Sequence, residues 1–172
     1  TKPSGACIVI IVINTKKKSL QKREVDMTGP ITKSVQEIAA ALTEKGLRPT
    51  QQRIAIYDYL LRHPTHPTVD TIYRAVLERF PTFSRTTIYN SLHALVDAGL
   101  IRTVTIDPEE QRFDGNAADH AHFKCCGCGS IYDFDLDDQA VQSICPPGFQ
   151  VQVQDVYFSG LCPACQPASL SH

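Results

Sequence analysis

Two Cys-x-x-Cys turns, Cys125 with Cys128 and Cys162 with Cys165, constrain this chain more than any other feature. Each turn offers two thiolates, and together they complete a tetrahedral zinc site with no coordination position left open. A closed site of that kind is structural, and it pins the 34-residue span from Cys128 to Cys162 at both ends. The competing reading is a pair of redox dithiols or buried thiols. Cys7, Cys126 and Cys145 are left over. An odd cysteine count with close pairs fits a reducing, cytoplasmic setting better than a disulfide framework. Cys126, inside the first turn, is an alternative ligand to Cys125, although Cys126-x-Cys128 is a less usual spacing.

The net charge of −1 hides a division along the chain. Residues 1–33 carry +5, residues 34–106 carry +2, and residues 107–172 carry −8. The basic front is where an anionic partner would meet the chain, and the acidic rear suits cations. No stretch reaches the ~18 consecutive apolar residues of a membrane helix. The run Ala6 to Ile13 is too short to span a bilayer, and its charges, Lys16 to Lys18, follow it, the reverse of a secretory signal. Residues 1–33 read as an extension of uncertain status, with Met27 as the natural first residue, although the β-prone run could pair with an exposed edge strand.

From residue 34 the punctuation is helical. Ser34-Val-Gln-Glu37 is a capping box, and its helix should stop at Gly46. Thr50 caps a second helix with Ile54, Ile56, Leu60 and Leu61 as its stripe. Thr68 caps a third, through Ile72, Ala75, Val76 and Phe80, ended by Pro81. Ser84 caps a fourth, with Ile88, Leu92, Leu95 and Val96 inward and Gly99 as the stop. Two short strands, Leu100 to Ile106 and Gln111 to Asp114, flank the turn Asp107-Pro-Glu-Glu110. That order reads as a winged helix over residues 34–114, followed by a hinge at 115–119.

The rear half switches to period two. Ser130 to Phe134 predicts a strand, Asp137 to Ile144 a short helix, and Phe149 to Phe158 a long strand. The fold class is therefore α/β in the mixed α+β sense: a winged helix, then a second α/β domain at 120–165 around the four-cysteine zinc site, then a tail at 166–172.

Two constellations carry chemistry beyond the cysteines. Arg85, Thr86, Tyr89, Asn90 and His93 lie off the apolar stripe of the fourth helix, with groups suited to base edges, phosphates and thymine methyls. Arg48 and Arg53 near the second helix could hold backbone phosphates. An ordinary solvated helix face, or a winged helix that docks to protein, competes with this reading. Around the hinge stand Asp114, His120 and His122, with Asp133 on the neighbouring strand. His-x-His on a strand points both imidazoles to one face. Nitrogen and oxygen donors without thiolate suit Fe(II), Mn(II) or Zn(II).

Taken in order, Leu47-Arg-Pro-Thr-Gln-Gln-Arg53, His66-Pro-Thr-Val-Asp-Thr-Ile-Tyr73 and Ser84-Arg-Thr-Thr-Ile-Tyr-Asn-Ser-Leu92 resemble the DNA-binding half of the ferric uptake regulator family. Arg112-Phe-Asp114, His120-Ala-His122, Cys125-x-x-Cys128-Gly129 and Gly160-Leu-Cys-Pro-Ala-Cys165 continue the family's order and spacing. The resemblance covers about residues 34–165. It implies a homodimeric repressor that binds an inverted-repeat operator in double-stranded DNA when loaded with metal. It also implies structural Zn2+ on Cys125, Cys128, Cys162 and Cys165, and adds His66 to a regulatory Fe2+ or Mn2+ site with Asp114, His120, His122 and Asp133. Aspartate at both 114 and 133 resembles the peroxide-sensing branch, in which His66 and His120 would be the oxidation targets. The iron-responsive branch is the alternative, with zinc or manganese sensing behind it.

The remaining alternative is a metal-dependent enzyme on the His/Asp cluster. Five protein ligands leave little room for substrate, and no separate acid–base pair or nucleophile is evident. The expectation is a regulator, not an enzyme, with no membrane partner and no small-molecule substrate beyond metal and peroxide.

Overall fold

In the computed structural model, residues 10–12, 32–106, 110–135, 148–149 and 155–166 are described. The helix expected at Asp137 to Ile144, the tail after Gln166, and Cys7 and Cys145 lie outside them. The chain divides into two compact units, one of residues 29–118 and one of residues 1–28 with 119–172.

The first unit is built on four capped helices: α1 (Val35–Glu44), α2 (Gln51–Arg62), α3 (Val69–Arg79) and α4 (Arg85–Asp97). At α1 the capping box closes in both directions. Glu37 Oε2 accepts from the Ser34 amide at 2.7 Å, and Ser34 Oγ accepts from the Glu37 amide at 3.2 Å. Thr50, Thr68 and Ser84 cap the other three by accepting from the amide three residues on. Gly46 and Gly99 follow the first and fourth helices in the left-handed region, at φ +74° and +65°, where a Cβ would be strained.

The helices share one core. Ile38, Leu42, Ile56, Leu60, Ile72, Ile88, Leu92 and Leu95 are all essentially inaccessible, each contributing about 1.5–3 kcal/mol on burial. A two-stranded antiparallel hairpin follows, β2 (Arg102–Val104) and β3 (Arg112–Asp114), with Arg102 opposite Asp114. The first strand is shorter than its apolar pattern predicts, because Leu100 and Ile101 are buried in the helical core instead. Phe113 enters that core from β3. Four helices and a hairpin in this order form the winged-helix arrangement.

Among the described residues, the second unit holds a four-stranded sheet of order β1-β6-β4-β5. Its strands are β1 (Ile10–Val12), β4 (Ala121–Cys125), β5 (Ile131–Phe134) and β6 (Asp155–Gly160). The central β4–β6 pair is parallel, and β5 and β1 are added antiparallel on either side. Ile10 lies opposite Tyr157, so part of the β-prone run near the start does pair with a sheet edge. Strand β6 runs to Gly160, two residues past the predicted end, because its pairing continues to Cys125. Phe149, the predicted start, is exposed, and residues 150–154 of the predicted strand lie outside the described residues. No helix among the described residues is long and apolar enough to cross a membrane.

Candidate metal centres

The parallel pairing of β4 with β6 carries both cysteine turns to the same end of the sheet. Cys125 closes β4 opposite Gly160, Cys128 lies in the turn that follows, and Cys162 and Cys165 flank a short 3-10 turn, Pro163–Cys165. The four Sγ atoms lie within 4.8 Å of one another, and those of Cys128 and Cys162 are 3.9 Å apart. Ligands at about 2.3 Å from a tetrahedral zinc would be about 3.8 Å apart. The cage therefore fits the ion without rearrangement at that edge. Gly127 makes the turn possible, since a Cβ there would come within 2.9 Å of the Cys165 Cβ.

Electrostatics at the cage run in two directions. Cys125 Sγ accepts from the amides of Cys162 at 3.3 Å, Cys128 at 3.5 Å and Gly127 at 3.3 Å. Those dipoles, the Cys162 amide foremost, pull its thiol down to about 6. Cys128 is also lowered, first by its contact with the Ser130 hydroxyl. Cys165 is pushed up to about 12, because its thiol hydrogen-bonds to Cys162 and Cys125. One thiolate is thus prepared by the backbone, while a further negative charge in the same small volume is opposed until a dication balances it. The cage takes in Cys125; Cys126 is exposed and held by its amide, which donates to the Gly160 carbonyl at 2.6 Å.

In the same unit a second group converges. Strand register sets His122 on β4 opposite Asp133 on β5. His120 stands one residue before β4, rather than within it, yet its Nε2 lies 3.0 Å from that of His122. Asp133 Oδ1 is 3.8 Å from the first nitrogen and 3.6 Å from the second. Both imidazoles are buried, at 2% and 3% exposure. Two nitrogens and a carboxylate oxygen converging in a buried place are a donor set that suits a borderline or hard divalent cation.

The helical unit holds the other two residues of the anticipated set. His66 Nε2 lies 3.9 Å from Asp114 Oδ2, and both side chains are buried. Asp114 Oδ1 accepts from the Asn116 amide at 2.8 Å, which orients the carboxylate. His66 has φ +51°, a left-handed backbone that costs a non-glycine residue about 1–2 kcal/mol. Such strain persists only where surrounding structure holds it. His66 is the residue that pattern alone missed: an imidazole between two prolines, 48 positions from its carboxylate, leaves no local signature.

On α4, Arg85, Thr86, Tyr89 and Asn90 are exposed, as anticipated for a surface that meets a partner. Arg85 is ion-paired with Asp70, and its guanidinium stacks 4.8 Å above the Tyr73 ring. Arg48 is exposed, whereas Arg53 is half-buried and donates through Nη1 to the Arg48 carbonyl at 3.0 Å.

The chain is similar to several known proteins. The chain is 37% identical over 134 residues to the peroxide operon regulator of Bacillus subtilis, covering 76% of this chain and 92% of that one. It is 36% identical over 141 residues to the peroxide-responsive repressor PerR of Staphylococcus epidermidis, covering 79% and 93%. The ferric uptake regulator of Helicobacter pylori shares the fold, with a TM-score of 0.61 at 20% identity over 80% of this chain and 97% of that one. Residues 44–158 match the ferric uptake regulator family, and the chain belongs to that family of regulators rather than to any class of enzyme.

Proposed function

We propose that this protein is a peroxide-responsive repressor that binds operator DNA as a homodimer while its regulatory site is loaded. The observation that carries the reading is the buried convergence of His120, His122 and Asp133, with aspartate at both 114 and 133. Relatives named for peroxide response, at 36–37% identity, support the same branch.

Cys125, Cys128, Cys162 and Cys165 would hold a structural Zn2+. His66 and Asp114 from the helical unit, with His120, His122 and Asp133 from the other, would hold one Fe2+ or Mn2+. A bound Fe2+ would supply the electron-transfer chemistry by which hydrogen peroxide is reduced to water, the two electrons coming in net from a ligating imidazole whose ring exchanges C–H for C–OH. The protein's part is to place His66 and His120 within reach and to exclude bulk water around them. Gain of one oxygen atom by either ring alters its donor nitrogens and weakens the set.

The consequence for DNA follows from which residues are joined. Ligands drawn from both units restrict the hinge between them and so set the spacing of the two α4 helices in a dimer, which must meet half-sites a fixed number of helical turns apart. Losing a ligand restores the hinge's freedom, and DNA binding must then offset that entropy. Arg48, Arg53, Arg85, Thr86, Tyr89 and Asn90 would form the contact surface, and the cytoplasm would be the setting.

A gel-shift titration tests this. Fe(II)- and Mn(II)-loaded protein should both bind the operator, and micromolar peroxide should release only the iron form. Release should coincide with one added oxygen on a His66 or His120 peptide. Iron-loaded protein that keeps its operator and unmodified histidines under peroxide overturns the reading and leaves iron-responsive repression in its place.

A further inference from the structure

We propose that Arg112 is a positioning residue for the regulatory metal: its guanidinium holds the backbone of His66 in the conformation that presents the imidazole. This rests on the reading of His66 as a ligand, and it names what maintains that ligand within the helical unit.

His66 has two unusual properties at once: φ +51° and 1% exposure. A buried left-handed residue needs something to hold its peptide, and neither neighbour is suited to the task. Pro67 has no N–H to give, and Thr65 gives its own to the His63 carbonyl at 2.7 Å. Strand β3 supplies the hold instead. Arg112 pairs as an isolated antiparallel bridge with Thr68, and the Phe113 amide donates to the Pro67 carbonyl at 3.1 Å. Arg112 Nη1 then reaches back to donate to the His66 carbonyl at 3.2 Å. Three successive residues, 66 to 68, are therefore bound to one strand, with the unusual member held by a side chain.

Two positions along the same strand, Asp114 faces His66 Nε2. Residues 112 and 114 point to one side of a strand, so a single short strand holds His66 from both ends: Arg112 at the carbonyl and Asp114 at the ring. The guanidinium is itself fixed by Glu110, whose Oε2 accepts from Nη2 at 3.0 Å. Glu110 belongs to the hairpin connection, so His66 and that connection share one planar group. Outer partners that orient metal ligands commonly change metal affinity by ten- to a hundredfold when removed.

The test uses full-length, zinc-loaded protein and Mn(II) titration, read by the signal of free Mn(II). Arg112→Met retains the apolar stem and removes every donor. It should weaken Mn(II) binding by about ten- to a hundredfold, with zinc content and melting temperature kept. Arg112→Lys restores one donor to the His66 carbonyl and should recover affinity to within about threefold of wild type, a rescue that a merely structural role would not produce. Should Arg112→Met not melt cooperatively, Arg112→Gln, too short to reach the carbonyl, carries the same expected loss. His66→Ala separates the two claims. If it weakens Mn(II) and the Arg112 variants bind like wild type, Arg112 does not position the ligand. If His66→Ala itself binds Mn(II) normally, His66 is not a ligand and both statements fall.

Discussion

The cysteine cage and the histidine–aspartate set are both built from side chains distant in sequence, but they are built differently. All four cysteines belong to one unit and are joined by the pairing of β4 with β6, and backbone amides from Cys162, Cys128 and Gly127 converge on the sulfur of Cys125. The histidines and carboxylates fall into two groups: His120, His122 and Asp133 converge in the sheet unit, and His66 faces Asp114 in the helical unit. A closed cage within one unit stabilises that unit whatever the rest of the chain does. If the two groups act together as the proposed function has it, such a divided set would restrict the hinge between the units. On the proposed function the same kind of chemistry would serve architecture in one case and regulation in the other, according to which chain segments supply the donors.

The comparison breaks most visibly at the cage. Zinc affinity in such sites is folding energy, about 10–16 kcal/mol in small zinc domains. Cys162→Ser should abolish zinc retention and the cooperative melt of the sheet unit, while α1 to α4 keep their helical signal by circular dichroism. A smaller and different loss is expected at the divided set. His122→Ala should weaken Mn(II) binding by about a hundredfold with one zinc per chain retained by metal analysis; loss of zinc as well would mean that the two sites are not independent.

Substitutions in the helical unit sharpen the contrast by touching neither metal. Tyr89→Ala, on the exposed face of α4, should cost about 1–3 kcal/mol of operator binding, read by fluorescence anisotropy, with Mn(II) affinity and melting unchanged. Ser34→Ala removes one arm of the capping box. It should cost about 1 kcal/mol and lower the melting point of the helical unit by roughly 4–8 °C, with no effect on zinc content.

How much of this was legible beforehand follows the range of the forces involved. Each helix start was readable because a capping Ser or Thr acts on an amide three residues away, and each glycine stop because φ is a property of one residue. The cysteine ligands were readable because a turn of fixed length brings each pair together. His120 and His122 were readable by the same local logic, although β4 begins only at Ala121. The strand ends were read less well. Leu100 and Ile101 read as strand and belong to the helical core, because burial there outweighs a two-residue preference.

By itself, then, the sequence determined the helices, the hairpin, the cysteine pairs and the His-x-His donors, since each depends on interactions within a few residues. Tertiary structure alone decided the rest. It set β4 parallel to β6, so that Cys125 meets Gly160 and the two turns become one cage. It also ran β3 beside residues 66–68, so that a histidine between two prolines is held from its carbonyl by Arg112 and faced by Asp114. Those placements come from burial and backbone pairing between segments tens of residues apart, whose energies appear only once the core has closed.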